Sequence, residues 1–160
     1  MCKAAPGFIY EALECLGGNG YVEEGMLARL YREAPLNAIW EGSGNVMCLD
    51  VLRALAREGE AARSVISDLA EAAADLPGTR EATSLLIDTL KRAETEAIAR
   101  GAVERLALLA AAAALNEWAP TSAEPFARVR LSEPHGSTYG SAGLTDAETR
   151  RLLERALPAA

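Results

Sequence analysis

The chain reads as an all-α protein, and three observations predict it. Half of its residues are apolar but only 5% are aromatic, so alanine and leucine carry the hydrophobic content, and both favour helix over sheet. Apolar residues recur at helical spacing in one segment after another. No segment shows the sustained alternation of a half-buried strand. A length of 160 residues suits one domain with an appendage and is enough for a sizeable core.

Residues 4 to 16 form the first predicted helix, with Phe8, Ile9, Ala12, Leu13 and Leu16 making its apolar stripe. Gly17-Gly18 ends it, and Gly17-Gly18-Asn19-Gly20 reads as a loop of little bulk that a ligand can approach closely. Met26 to Glu33 is a short helix, with Pro35 expected to end it because the residue before a proline is pushed out of helical geometry. Val46 to Arg57 is the next helix, with Ser43 as a candidate N-cap. Ala61 to Leu76 has the clearest amphipathic face, and Pro77-Gly78 breaks it. Thr79 is expected to cap a helix that continues to about Arg100. Ala102 to Trp118 is apolar on most sides, so a buried position in a bundle is predicted. Residues 120 to 144 read as the longest irregular segment, with one or two helical turns within Glu124 to Leu131. Thr145-Asp146-Ala147-Glu148 has the capping-box signature and opens a last helix to about Leu157.

The formal net charge is −7. An acidic chain is a poor nucleic-acid binder overall, although a local basic patch is still open to it. The longest alanine-rich run, Leu106 to Leu115, is too short to cross a bilayer. Met1-Cys2-Lys3 opens no signal-peptide pattern. Cys2, Cys15 and Cys48 lack metal-ligand spacing, so the expectation is reduced thiols in a cytoplasmic protein, with Cys15 and Cys48 buried on helix faces. His135 has no second histidine nearby and reads as a loop residue, so no metal site is expected.

The stretch Ala38-Ile39-Trp40-Glu41-Gly42-Ser43-Gly44-Asn45 carries the most chemistry. One carboxylate sits between bulky apolar residues and a flexible turn, with a helix starting just beyond. Burial against Trp40 would raise the pKa of Glu41 and make it a better base. The backbone N–H groups of the following turn would suit an anion or a carbonyl. The alternative is a carboxylate at a helix entrance, favoured there by the helix dipole. Spacing alone leaves both open.

Taken together, Glu14-Cys15-Leu16-Gly17-Gly18-Asn19-Gly20-Tyr21, Leu30-Tyr31-Arg32-Glu33-Ala34 and Ile39-Trp40-Glu41-Gly42-Ser43 resemble the C-terminal domain of the acyl-CoA dehydrogenase flavoproteins. Glu11-Ala12-Leu13-Glu14, Trp40 to Asn45 and Cys48 to Arg53 resemble its AidB branch, the adaptive-response-to-alkylation flavoproteins. The segments Phe126 to Leu131 and Tyr139-Gly140 do so more loosely. The resemblance implies a helical bundle over residues 1–58 and a helical C-terminal extension over 59–160. It implies that Glu41 removes the α-proton of an acyl-CoA thioester while hydride leaves to FAD, with Trp40 and Gly42 near the substrate. Gly17, Gly18, Ser43 and Asn45 fall at flavin-contacting positions, and the usual assembly is a homotetramer. The AidB branch also implies double-stranded DNA as a partner, with Arg53, Arg57, Arg128 and Arg130 as candidate phosphate contacts. A third reading is a purely structural or oligomerising bundle.

Two departures stand out. Glu14 replaces a common glutamine, and a carboxylate there is unwelcome beside flavin phosphates. Trp40 replaces a common tyrosine and would narrow the acyl pocket. The upstream domains of complete family subunits are not among these residues, so the chain reads as a C-terminal fragment that is inactive by itself.

Overall fold

A computed structural model describes residues 2–40, 42–91, 96–132 and 138–157. Among them there are helices and turns and no strand. The chain divides into two compact units, Met1–Asp50 and Val51–Ala160.

The first unit holds α1 (Ala5–Cys15), a single turn α2 (Gly18–Tyr21), α3 (Met26–Glu33), a 3-10 turn Ala34–Ala38, and the start of α4 (Gly44–Arg57). Pro6 lies in the first turn of α1, where its missing N–H costs nothing. Gly17 turns the chain out of α1 at φ 57° and ψ −140°, a combination that glycine alone takes readily. The predicted loop then winds into α2, since Gly20 N–H donates to the Gly17 carbonyl at 3.0 Å. Gly20 lies against α1, and a Cβ there would be 2.4 Å from the Leu13 carbonyl oxygen, so no side chain fits without moving backbone. Ala34 stays helical despite Pro35, with φ −54° and ψ −42°. The tighter 3-10 turn has Pro35 near its start, where no N–H is needed.

This unit has a thin core. Leu13, Ala28 and Ala34 are buried. Phe8, Tyr21, Met26, Ile39 and Trp40 are between 61% and 81% exposed, while Ile9, Ala12 and Leu13 of the predicted α1 stripe are half-buried or buried. Tyr10 and Tyr31 meet at 6.1 Å between ring centroids. Arg32 clamps Glu23 through two bonds of 2.6 and 2.9 Å. Both partners of that pair are more than half exposed, so it contributes little to stability.

The second unit is the better-cored one. It comprises α5 (Gly59–Ala72), α6 (Thr79–Lys91), a 3-10 turn Glu96–Ile98, α7 (Ala99–Trp118), α8 (Pro120–Ala127) with a π-helical continuation Arg128–Ser132, and α9 (Asp146–Ala156). The predicted bundle position of α7 holds: it packs on α5, α6 and α8. Leu109, Ala112 and Ala113 join Ile66, Ala73, Leu86, Ala123, Ala127 and Leu131 in one buried cluster. Alanine at so many contacts lets the helix backbones approach closely.

Several boundaries differ from the expectation. α5 begins and ends earlier than predicted, and Asn116 on α7 donates to the Ala72 carbonyl at 2.9 Å, satisfying an orphan acceptor at the end of α5. Thr79 does not play the expected capping part. It is buried within the first turn of α6, and its hydroxyl donates backwards across Pro77-Gly78 to the Ala73 carbonyl at 2.8 Å. Gly78 holds that corner at φ 79°, with the Leu131–Ser132 backbone 2.7 Å from where a Cβ would lie. The helix predicted to reach Arg100 ends at Lys91 in α6, and the expectation at residues 92–95, Ala93 included, lies outside the described residues. Gly101 is an exposed residue inside α7.

The largest difference is the segment expected to be irregular. Residues 120–132 are helical although Pro125 lies inside α8. Proline removes the N–H that would bond the carbonyl four residues back. That carbonyl, Thr121, accepts instead from Arg151 Nη1 at 3.1 Å, a side chain brought in by α9. The carbonyl of Leu131, at the other end, accepts from Arg105 Nη1 at 2.8 Å. His135 lies outside the described residues.

Candidate functional site

Residues 39–47 form the entrance to α4. The 3-10 turn closes with Ile39 and Trp40 N–H groups donating to the Leu36 carbonyl at 3.0 and 3.2 Å. Ile39 and Trp40 are each 61% exposed. The apolar wall expected beside residue 41 is therefore open, and the structure gives no sheltered Trp40. Glu41 itself lies outside the described residues. Gly42 follows at φ 124°, and a Cβ there would come 2.8 Å from Met47 Sδ. The dihedral asks for glycine, whereas the Met47 side chain could swing aside. Ser43 occupies the predicted cap position by its backbone, its carbonyl accepting the Met47 N–H at 3.0 Å.

The amide groups at the start of a helix and the dipole behind them attract anions. Lys3 adds a cation to this entrance. Its Cε lies 2.8 Å and its Nζ 3.7 Å from the place a Cβ of Gly44 would occupy. Sequence reasoning missed Lys3. A residue forty positions upstream of the turn offers no local signal, since only the return of the chain past α1 brings the two together. Asn45 is exposed and engaged in a contact of its own.

Gly17 and Gly18 present a second open stretch of backbone, with nothing within 4 Å of a Cβ at either. Neighbouring Glu14 and Leu16 are exposed as well. The cysteine expectation needs correction: Cys15 is exposed and Cys48 only half-buried. Among the described residues, no group of histidine, cysteine, aspartate or glutamate could hold a metal ion.

The four candidate DNA-contacting arginines are not alike. Arg57 is exposed, and Arg53 is exposed and engaged in a contact. Arg128 is consumed within the fold: Nε lies 3.2 Å from Glu124 Oε1, Nη1 donates to the Gly143 carbonyl at 2.8 Å, and Nη2 reaches Glu148 Oε1 at 2.8 Å. Arg130 is half-buried, with Nε sealed from solvent and without a hydrogen-bond partner.

Glu148 also completes the predicted capping box. It accepts the Thr145 N–H at 2.7 Å and the Thr145 hydroxyl at 2.9 Å, while its own N–H donates to Thr145 Oγ1 at 3.3 Å. These bonds from Thr145, the backbone N–H foremost, and then Arg128 hold the Glu148 carboxyl below its ordinary value. A lowered folded pKa adds stability at pH values above the unfolded pKa, and that stability is lost as pH falls through the folded value. Glu148→Gln should therefore lower the thermal midpoint by a few degrees near neutrality. Its gap from the parent should close as pH is taken from about 7 to about 3. A gap that stays constant across that range in paired thermal melts would refute the linkage.

Residues 1–56 match the acyl-CoA dehydrogenase C-terminal domain. Over 160 residues, 98% of the chain, the sequence is 38% identical to the putative acyl-CoA dehydrogenase AidB of Escherichia coli (strain K12), covering 28% of that protein. A stretch of 51 residues, 32% of the chain, is 49% identical to acyl-CoA dehydrogenase family member 11 of Caenorhabditis elegans, covering 8% of it. Residues 1–56 are of the acyl-CoA dehydrogenase C-terminal domain type, and the chain is similar to AidB along nearly its whole length. It spans little more than a quarter of that relative, so the activity of a whole family protein is a matter for proposal.

Proposed function

We propose that this chain supplies the catalytic base and one edge of the flavin site of an FAD-dependent acyl-CoA dehydrogenase-type oxidoreductase. The carrying observation is that the family match spans the whole segment Ala38 to Asn45. Glu41, between Trp40 and Gly42, is then the base that takes the α-proton of an acyl-CoA thioester. Trp40 and Ile39, both exposed, are available as walls for the acyl chain. The backbone N–H of residue 41 would hold the thioester carbonyl and so acidify the α-carbon.

The residues present suit a flavin edge. Gly17 and Gly18 offer unobstructed backbone, and the α4 entrance joins a helix N-terminus to the Lys3 ammonium. Lys3, Ser43 and Asn45 are the residues that would hold the pyrophosphate of FAD. FAD, when bound, supplies the acceptor for the β-hydrogen as hydride. Sequence 1–58 then forms the dehydrogenase portion and 59–160 the extension, in a homotetramer of cytoplasmic location. No helix among the described residues is long and apolar enough to cross a membrane.

The reading is tested by placing the 160 residues in the E. coli relative in place of the matching stretch. The purified chimera should carry bound FAD, read from its visible absorbance, and oxidise acyl-CoA thioesters with an artificial electron acceptor. The 160 residues alone should show no turnover. A flavin-loaded chimera that leaves every acyl-CoA untouched would refute the proposal. The double-stranded DNA reading has less support, because Arg128 is already neutralised by two carboxylates. A purely structural bundle does not account for a glycine-rich entrance joined to Lys3.

A further inference from the structure

The π-helical turn after α8 and the inner face of α9 border an open cavity of about 300 Å³ in the second unit. Leu115, Phe126, Val129 and Leu152 line it, and so do two arginines, Arg130 and Arg155. That volume is at the small end of ligand sites. The walls are apolar, and the charge in them is uncompensated. Arg130 is half-buried, its Nε shut off from solvent and bonded to nothing. Neither arginine forms an ion pair with a carboxylate among the described residues, whereas Arg128, two positions from Arg130, has two such partners.

The contrast matters in a chain with 23 acidic and 16 basic side chains. A guanidinium withdrawn from water without a partner is costly, and nearly all such groups are paired. Arg130 Nε has already given up its water, so an anion arriving there gains attraction that water screens poorly, and Arg155, exposed at the rim, adds a second cation. The apolar walls add a second requirement. A bare inorganic anion would leave Leu115, Phe126, Val129 and Leu152 uncovered, and a neutral hydrocarbon would leave two cations unanswered. The π-turn belongs to a class of backbone irregularity common at functional sites, and it is what sets Val129 and Arg130 beside the cavity.

We propose that this cavity binds a small amphipathic carboxylate, its head against Arg130 and Arg155 and its short apolar tail along Phe126, Val129 and Leu152. The site is independent of the acyl-CoA reading, since it uses no residue before Leu115.

The test is a calorimetric titration of the 160-residue protein with three probes: octanoate, acetate and octyl glucoside. Octanoate should bind, and acetate and octyl glucoside should each bind at least about tenfold more weakly, one lacking the tail and the other the charge. Arg130→Gln and, separately, Arg155→Gln should each weaken octanoate by about tenfold or more. Leu152→Trp, which fills the cavity and leaves both charges, should abolish it. Because Arg130 Nε has no partner to lose, Arg130→Gln should melt no lower than the parent when ligand-free, which separates lost binding from lost folding. Equal binding of octanoate and octyl glucoside would reduce the site to an apolar patch. Acetate or inorganic phosphate binding as tightly as octanoate would reduce it to a charge patch. Either result, full octanoate affinity in both arginine variants, or no octanoate binding overturns the proposal.

Discussion

Glutamine in place of Glu41 is expected to cut acyl-CoA oxidation by the flavin-loaded chimera about 10²- to 10⁴-fold, the usual contribution of a general base. The substitution keeps the length, shape and hydrogen-bonding reach of the side chain and removes only the capacity to take a proton. Substrate binding that is equal in the ground and transition states should survive, so the loss should appear in kcat with KM changed little. Aspartate would keep the carboxylate but withdraw it by one methylene, and an intermediate rate is expected because proton transfer depends steeply on placement. The competing view of Glu41 as an ordinary helix-entrance carboxylate makes a different prediction. Neither variant would then alter turnover by more than a few fold, and both would act on stability instead. Steady-state rates and thermal midpoints measured on the same preparations separate the two. A Glu41→Gln chimera within tenfold of its parent would remove Glu41 as the base.

Periodicity made most helices legible, and it failed where a distant side chain decided the outcome. The breaks at Gly17 and at Pro77-Gly78 follow from local backbone chemistry, and so does the capping box of Thr145 and Glu148. Each acts within a few residues. Pro125 is the opposite case. Local rules make proline a helix breaker, yet α8 passes through it because Arg151 answers the carbonyl that proline leaves empty. A bond thirty residues away in sequence has no local signature. Thr79 failed as a cap for a similar reason: its hydroxyl found the Ala73 carbonyl across the corner.

The candidate site was legible in a different sense. Gly17 and Gly42 are the site's glycines with positive φ, and the Ser43 carbonyl accepts the Met47 N–H at the start of α4. Burial could not be read the same way. An apolar stripe tells which side of a helix seeks cover, but not whether this chain supplies it. Phe8 on the α1 stripe and Cys15 on a helix face were expected to be covered, and both are exposed. The glycine-rich entrance was visible in one octapeptide, whereas Lys3 beside Gly44 needed the fold.

Leu109→Ala is expected to be among the most damaging single changes to the second unit, costing about 3–4 kcal/mol. Leu109 is fully buried, on the face of α7 that belongs to the common core. The loss has two parts. Removing three carbon atoms forfeits their transfer from water, and the surrounding helices can close only part of the hole that remains. Closure is hindered here because many neighbours are already alanine: Ala73, Ala112, Ala113, Ala123 and Ala127 have no long side chains to swing into the space. Backbone would have to move, and α7 is held by three helices at once. The cost should therefore lie toward the upper half of the usual range. For a unit of this size it corresponds to a fall of about 10–20 °C in the thermal midpoint. Leu109→Met, close in volume and flexible enough to refill the site, should cost less than about 1.5 kcal/mol. Denaturant unfolding followed by far-UV circular dichroism reads both. If alanine and methionine proved equally mild, α7 would not be the centre of a close-packed bundle, and the contact of α8 and its π-turn with α7, on which the Arg130 cavity depends, would lose its support.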